Sequence, residues 1–113
     1  MKTNKEKLEE INGLITKLQN DMPEQIGAFS KFMLATEKST VLDAKHRELI
    51  NVALSISAQC EWCIALHVKS AIGAGATKQE ILEAAMQAVL MHGGPALMYM
   101  IPVENAIKEF TQA

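Results

Sequence analysis

Ser57-Ala58-Gln59-Cys60-Glu61-Trp62-Cys63-Ile64-Ala65-Leu66-His67 is the stretch on which the reading of this chain turns. Cys60, Cys63 and His67 stand at i, i+3 and i+7, and those positions share one face of an α-helix. Two thiols three residues apart in a helical turn have Cα atoms roughly 5 Å apart, within disulfide range. His67 lies one turn beyond Cys63, where it can accept or donate a proton. Ser57 is a candidate N-cap, which puts Cys60 in the first turn, where free N–H groups and the helix dipole favour a thiolate over a thiol that ordinarily titrates near ~8.5. A thiolate attacks peroxides or disulfides, and a second cysteine three residues away can resolve the sulfenic acid or mixed disulfide that results.

The helix ahead of this stretch predicts a partner for His67. Asp43 is an N-cap opening a helix to about Ser57, apolar on most sides after Leu49 and therefore central. A second helix runs from about Ala58 to Ile72, and Gly73 and Gly75 end it. If the two form an antiparallel hairpin turning near Ser57 and Ala58, Glu48 faces the level of His67. A Glu–His pair beside Cys63 makes a proton relay, in which the carboxylate orients the imidazole and the imidazole serves the thiol. The dipole argument favours Cys60 as the more acidic thiol; the convergence of Glu48 and His67 favours Cys63.

The rest of the chain is helical in period. Leu8, Ile11, Leu14, Ile15, Leu18 and Met22 mark an apolar stripe on a charged first helix, residues 1–22. Pro23 suits the first turn of a second helix that carries Ile26, Phe29, Phe32 and Met33 inward. Lys38-Ser39-Thr40 reads as a loop. Thr77 with Glu80 forms a capping box for a further helix holding Ile81, Leu82, Ala85, Ala88 and Val89. His92-Gly93-Gly94-Pro95 breaks the chain, with His92 serving the preceding helix end. A last helix reaches about Phe110, with Pro102 kinking it or marking its restart. No β-alternation of useful length interrupts this pattern. The expectation is an all-α fold of about six helices in one domain over 1–113, with a motif-bearing core at 42–110.

Composition narrows the function. Hydrophobic residues make up 49% of the 113 and charged residues 21%, enough apolar material for one core. A net charge of −2 excludes a basic nucleic-acid footprint. Ala84–Val103 carries no charged residue, but Gln87, His92, Gly93-Gly94-Pro95 and Pro102 divide it into two buried helices, so no membrane span is expected. No secretory signal is visible at Met1–Asn20, and a cytoplasmic setting follows. There a C-x-x-C pair is catalytic or metal-binding sooner than a structural staple. The apolar faces of the later helices exceed what one small core can bury, which predicts an obligate oligomer.

The pattern Glu48-x11-Cys60-x2-Cys63-x3-His67 resembles the signature of the alkylhydroperoxidase D-like branch of the carboxymuconolactone decarboxylase superfamily, from roughly Leu42 to Phe110. The resemblance implies a helical domain with a central antiparallel hairpin, no cofactor, no resident metal, and a trimer or hexamer. It further implies a dithiol–disulfide cycle in which Cys63 meets peroxide, Cys60 resolves, and Glu48 and His67 serve the relay. A thiol or dithiol donor, such as a thioredoxin-like or lipoyl-bearing protein, then restores the pair. The best-known members place a histidine where this chain has Trp62; a tryptophan there shapes an apolar entrance. Two other readings compete. A lactone decarboxylase-type reaction belongs to members that generally lack the C-x-x-C pair. A metal-binding module would draw ligands from Cys60, Cys63 and His67, with His92 or a neighbouring subunit as the fourth.

Overall fold

The computed structural model describes residues 2–38 and 40–111, and among them the secondary structure is entirely helical. Seven helices follow in order: α1 (Asn4–Asp21), α2 (Pro23–Glu37), α3 (Ala44–Ser57), α4 (Glu61–Gly73), α5 (Lys78–His92), α6 (Gly94–Met98) and α7 (Met100–Thr111). The fold is all-α, as the periodicity predicts. Of the expected loop at 38–40, Ser39 lies outside the described residues.

Local chemistry explains where the helices start. Thr3 and Glu6 form a capping box on α1, and Thr77 and Glu80 form another on α5. The Asp43 carboxylate accepts the His46 N–H at the start of α3 and also meets the exposed His46 ring. Pro23 opens α2. Pro102 lies in the first turn of α7, where no intrahelical N–H is missed. The restart expected at Pro102 falls slightly earlier: Tyr99, whose N–H bonds back to Ala96 and Pro95, divides α6 from α7, which starts at Met100.

The hairpin of α3 and α4 is central. α3 packs on α4 and α5, and α4 also meets α1 and α7. Val52 and Ile56 of α3, Ile64 and Val68 of α4, Ile81 of α5 and Val103 of α7 are fully buried. Each contributes about 1.5–3 kcal/mol by leaving water. α1 is tied down at its start by Glu109 of α7, which accepts from the Asn4 N–H at 2.9 Å, the Asn4 Nδ2 at 3.1 Å and the Lys5 N–H at 2.9 Å. A carboxylate on free N–H groups at a helix start is favoured by the helix dipole as well.

α2 departs from expectation. It packs chiefly on α1 and has no buried residue. Ile26 is half-buried, but Phe29 is 53% exposed, Phe32 66% and Met33 40%. The apolar spacing identifies a stripe without saying which body covers it, and α2 overhangs the rest of the chain. Met86, Met91 and Met98 are exposed too, while Met100 packs partly against the core.

Candidate active site

The turn between α3 and α4 fixes the first cysteine through the backbone. The Gln59 N–H bonds to the Ile56 carbonyl at 3.0 Å and the Cys60 N–H to the Ser55 carbonyl at 3.1 Å. Gln59 has φ +55°. This crossed pair of bonds closes α3 through a left-handed residue, a position where glycine is usual. Cys60 is at once the N-cap of α4: its carbonyl accepts the Ile64 N–H at 3.0 Å, and its Sγ accepts the Cys63 N–H at 3.1 Å. The expected cap, Ser57, is instead the last residue of α3, and α4 starts at Glu61 and not near Ala58. Both cysteines thus lie at the positive end of α4, Cys60 as cap and Cys63 in the first turn.

Cys60 and Cys63 are joined as a disulfide, with Cα atoms 5.2 Å apart. Both are half-buried. On the far side of the hairpin turn, Glu48 Oε1 lies 2.7 Å from His67 Nδ1, the level at which the hairpin argument puts it. The pair is mostly enclosed: the side chains are 17% and 25% exposed. Burial pushes the Glu48 carboxyl up, but the hydrogen bond and charge of His67, together with Asn51 and Arg47, more than offset it. The net position is below the ordinary carboxylate value, so Glu48 is an anion at neutral pH. With Nδ1 facing that anion, the imidazole keeps Nε2 for other work.

Asn51 is a member of this arrangement that the motif does not contain. Its signal was spacing: it lies three residues after Glu48, on the same face of α3. α1 supplies the other unanticipated contacts. The Trp62 Nε1–H donates to Glu10 Oε1 at 3.0 Å, Lys7 meets Glu61 at 3.2 Å, and Glu10 also pairs with Lys2. Glu10, Ile11, Leu14, Ile15 and Trp62 line a largely apolar cleft of about 500 Å³.

His92 is exposed in the last turn of α5. Among the described residues, no group of three or more His, Cys, Asp or Glu side chains is placed to share a metal ion. Among them, too, no helix is long and apolar enough to cross a membrane.

Comparisons with known proteins agree with this picture. Residues 21–103 match the family model described as the carboxymuconolactone decarboxylase family, a span that contains Glu48, Cys60, Cys63 and His67. The fold superposes with a TM-score of 0.90 on an apo crystal structure of a carboxymuconolactone decarboxylase family protein from Legionella pneumophila, 36% identical, covering 96% of this chain and 97% of that one. An uncharacterized protein of Cupriavidus necator is 34% identical over 95 residues, 84% of each chain. An uncharacterized protein in the cox locus of Paracoccus denitrificans is 42% identical over 69 residues, 61% of this chain and 60% of its own. With the family model matched across most of its length and the helical frame shared nearly end to end, this chain belongs to the carboxymuconolactone decarboxylase family.

Proposed function

We propose that the protein is a thiol-dependent peroxidase that reduces hydroperoxides through the Cys60–Cys63 pair, with Glu48 and His67 as its proton relay. The observation that carries this reading is the meeting, on one short hairpin, of a half-buried cysteine pair and a half-buried carboxylate–imidazole pair.

The cycle starts from the dithiol. Cys63 gives its proton to the His67 imidazole, which Glu48 stabilises in its charged form. The Cys63 thiolate attacks the hydroperoxide. The O–O bond breaks, a sulfur–oxygen bond forms, and the leaving alkoxide takes the proton to depart as an alcohol. Sulfur is oxidised to sulfenic acid as the peroxide is reduced. The Cys60 sulfur then attacks that of Cys63, its proton leaves with the hydroxide as water, and the disulfide closes. A dithiol donor, of the thioredoxin-like or lipoyl class, exchanges with the disulfide and is itself oxidised. The proposed setting is the cytoplasm, where such donors keep the pair reduced. The proposed assembly is a homo-oligomer, supported by the uncovered apolar faces of α2 and of α5 to α7.

The test is stopped-flow reduction of cumene hydroperoxide with dithiothreitol, dihydrolipoamide and a thioredoxin system as donors. Saturable turnover lost in Cys63→Ser is expected. Absence of turnover with every donor, from protein whose dithiol is intact by thiol count, overturns the reading.

A further inference from the structure

Both residues enclosed by the two cysteines are gripped by α1. The Lys7 ammonium meets the Glu61 carboxylate at 3.2 Å, and the Trp62 indole N–H donates to Glu10 at 3.0 Å. Lys7 and Glu10 lie three residues apart, so they share one face of α1. α1 is anchored independently of these contacts: Glu109 of α7 accepts from the Asn4 and Lys5 N–H groups, both at 2.9 Å. The Lys7 side chain is 14% exposed, and with Glu61 it lines a crevice against Ile101 and Pro102 of α7. α1 contributes none of the four motif residues, yet it holds the Glu61-Trp62 segment from a fixed base.

The start of α4 depends on such a hold once the bridge is open. The first N–H groups of a helix have no carbonyl of their own helix to bond. Here the Cys63 N–H is capped by the Cys60 sulfur, one of the two atoms of the bridge. In the disulfide, the bridge and this cap fix the turn together. In the dithiol, the Cys60 side chain is free to rotate and the cap can leave with it. The Lys7–Glu61 and Glu10–Trp62 contacts involve neither sulfur. They remain to keep the turn helical and the two Cα atoms near the 5.2 Å of the bridged form. The contacts form more readily on a turn that the bridge has already ordered, because less freedom is left to lose. By linkage, the bridge closes more readily on a turn that α1 holds, and by the same factor.

We propose that α1 is a clamp on the redox turn, in which Lys7 and Glu10 are positioning residues that grip Glu61 and Trp62 and hold the dithiol in the geometry of the bridge. Closing the disulfide and docking α1 therefore favour one another. The clamp rests on the dithiol–disulfide cycle of the proposed function, and not on what oxidises the pair.

The test measures the equilibrium constant for bridge closure in dithiothreitol and glutathione redox buffers, from the fraction of alkylated thiols by mass spectrometry. Lys7→Met/Glu10→Ala removes both contacts and leaves the net charge of α1 unchanged. In it the constant is expected to fall about fivefold, the scale of two partly exposed contacts, which raises the midpoint potential by about 20 mV. Lys7→Arg/Glu10→Gln keeps a cation and an acceptor and is expected to restore most of the loss. Trp62→Phe keeps an aromatic ring and loses only the N–H, so a fall of about twofold there tests the clamp even if the double variant folds poorly. In the native chain, α1 amides are expected to exchange hydrogen faster after reduction. A constant that stays put or rises, with thermal midpoints lowered equally in the dithiol and disulfide forms, overturns the proposal, since the contacts then serve folding alone. Equal α1 exchange in the two forms overturns the coupling. No peroxide enters these measurements. A shifted constant in a chain that turns over no peroxide leaves the clamp standing and overturns the peroxidase reading; turnover with an unmoved constant does the reverse.

Discussion

Glu48 and His67 meet at 2.7 Å although 19 positions separate them, and their bond joins the two arms of the central hairpin one turn beyond Cys63. In Glu48→Gln the hydrogen bond can persist while the charge that supports a protonated imidazole is gone. Peroxide turnover is expected to fall about 10–1000-fold, the scale of general acid–base effects. The thermal midpoint should move little, because a neutral acceptor still serves the ring. Calorimetry beside the kinetic assay separates the two outcomes, and full activity in the variant would reduce Glu48 to a structural partner.

The same carboxylate gives a sign to the acid response. Burial raises its pKa in the folded protein, but His67, Asn51 and Arg47 together bring it below the ordinary 4.5. A depressed acid contributes stability that is complete above the unfolded value and disappears as pH falls through the folded one. Urea midpoints measured from pH 6 down to pH 3 should therefore decline more for the native chain than for Glu48→Gln, with the difference opening below about 4.5. Parallel declines would show that the pair does not couple to folding.

The two cysteines are expected to act in sequence. Cys63→Ser should abolish the first reaction with peroxide. Cys60→Ser should permit one turnover and leave a sulfenic acid on Cys63 that dimedone traps, seen by mass spectrometry. Capping of α4 by Cys60 itself strengthens the rival assignment, since the Cys63 N–H would also steady a Cys60 thiolate. An adduct found only on Cys60, in the Cys63→Ser variant, would reverse the roles.

Self-association should be strong. Phe29, Phe32 and Leu34 on α2, Leu90 and Met91 on α5, and Ile101 on α7 are each more than half exposed in the single chain. Large apolar side chains left open on successive turns of one helix, as Phe29 and Phe32 are, mark an interaction surface. Light scattering is expected to give a multiple of 12.4 kDa, and Phe32→Glu should lower the mass. A stable monomer at micromolar concentration would contradict this.

What could be read from the residues, and what could not, divides along physical lines. Side chains with a strong local preference announced themselves: Asp43 as a cap, Thr77 with Glu80 as a box, Gly73 and Gly75 at the end of α4. Glu48 and His67 were reachable because a tight hairpin converts sequence distance from the turn into spatial level. The cap of α4 was not, since serine is a far commoner cap than cysteine, and a left-handed Gln59 carries no glycine to mark it. Pro102 signalled a restart of the last helix, but the division itself falls at Tyr99, between Met98 and Met100, where no proline or glycine fixes the exact residue. The stripe on α2 was visible, but the periodicity of one chain holds no information about what covers it. The Glu10–Trp62 contact was invisible because it depends on how α1 lies across α4, which tertiary packing decides.

Cys60 ends one helix with its N–H and begins the next with its carbonyl and sulfur. The Cys60 backbone is thus held by main-chain bonds to Ser55 and Ile64 that do not pass through the bridge itself. Opening and closing the bridge becomes a matter of side-chain torsion, a rotamer hop of nanoseconds and not a helix that must unwind and reform. The scaffold around it is expected to present the same helical signal, by far-ultraviolet circular dichroism, in both oxidation states.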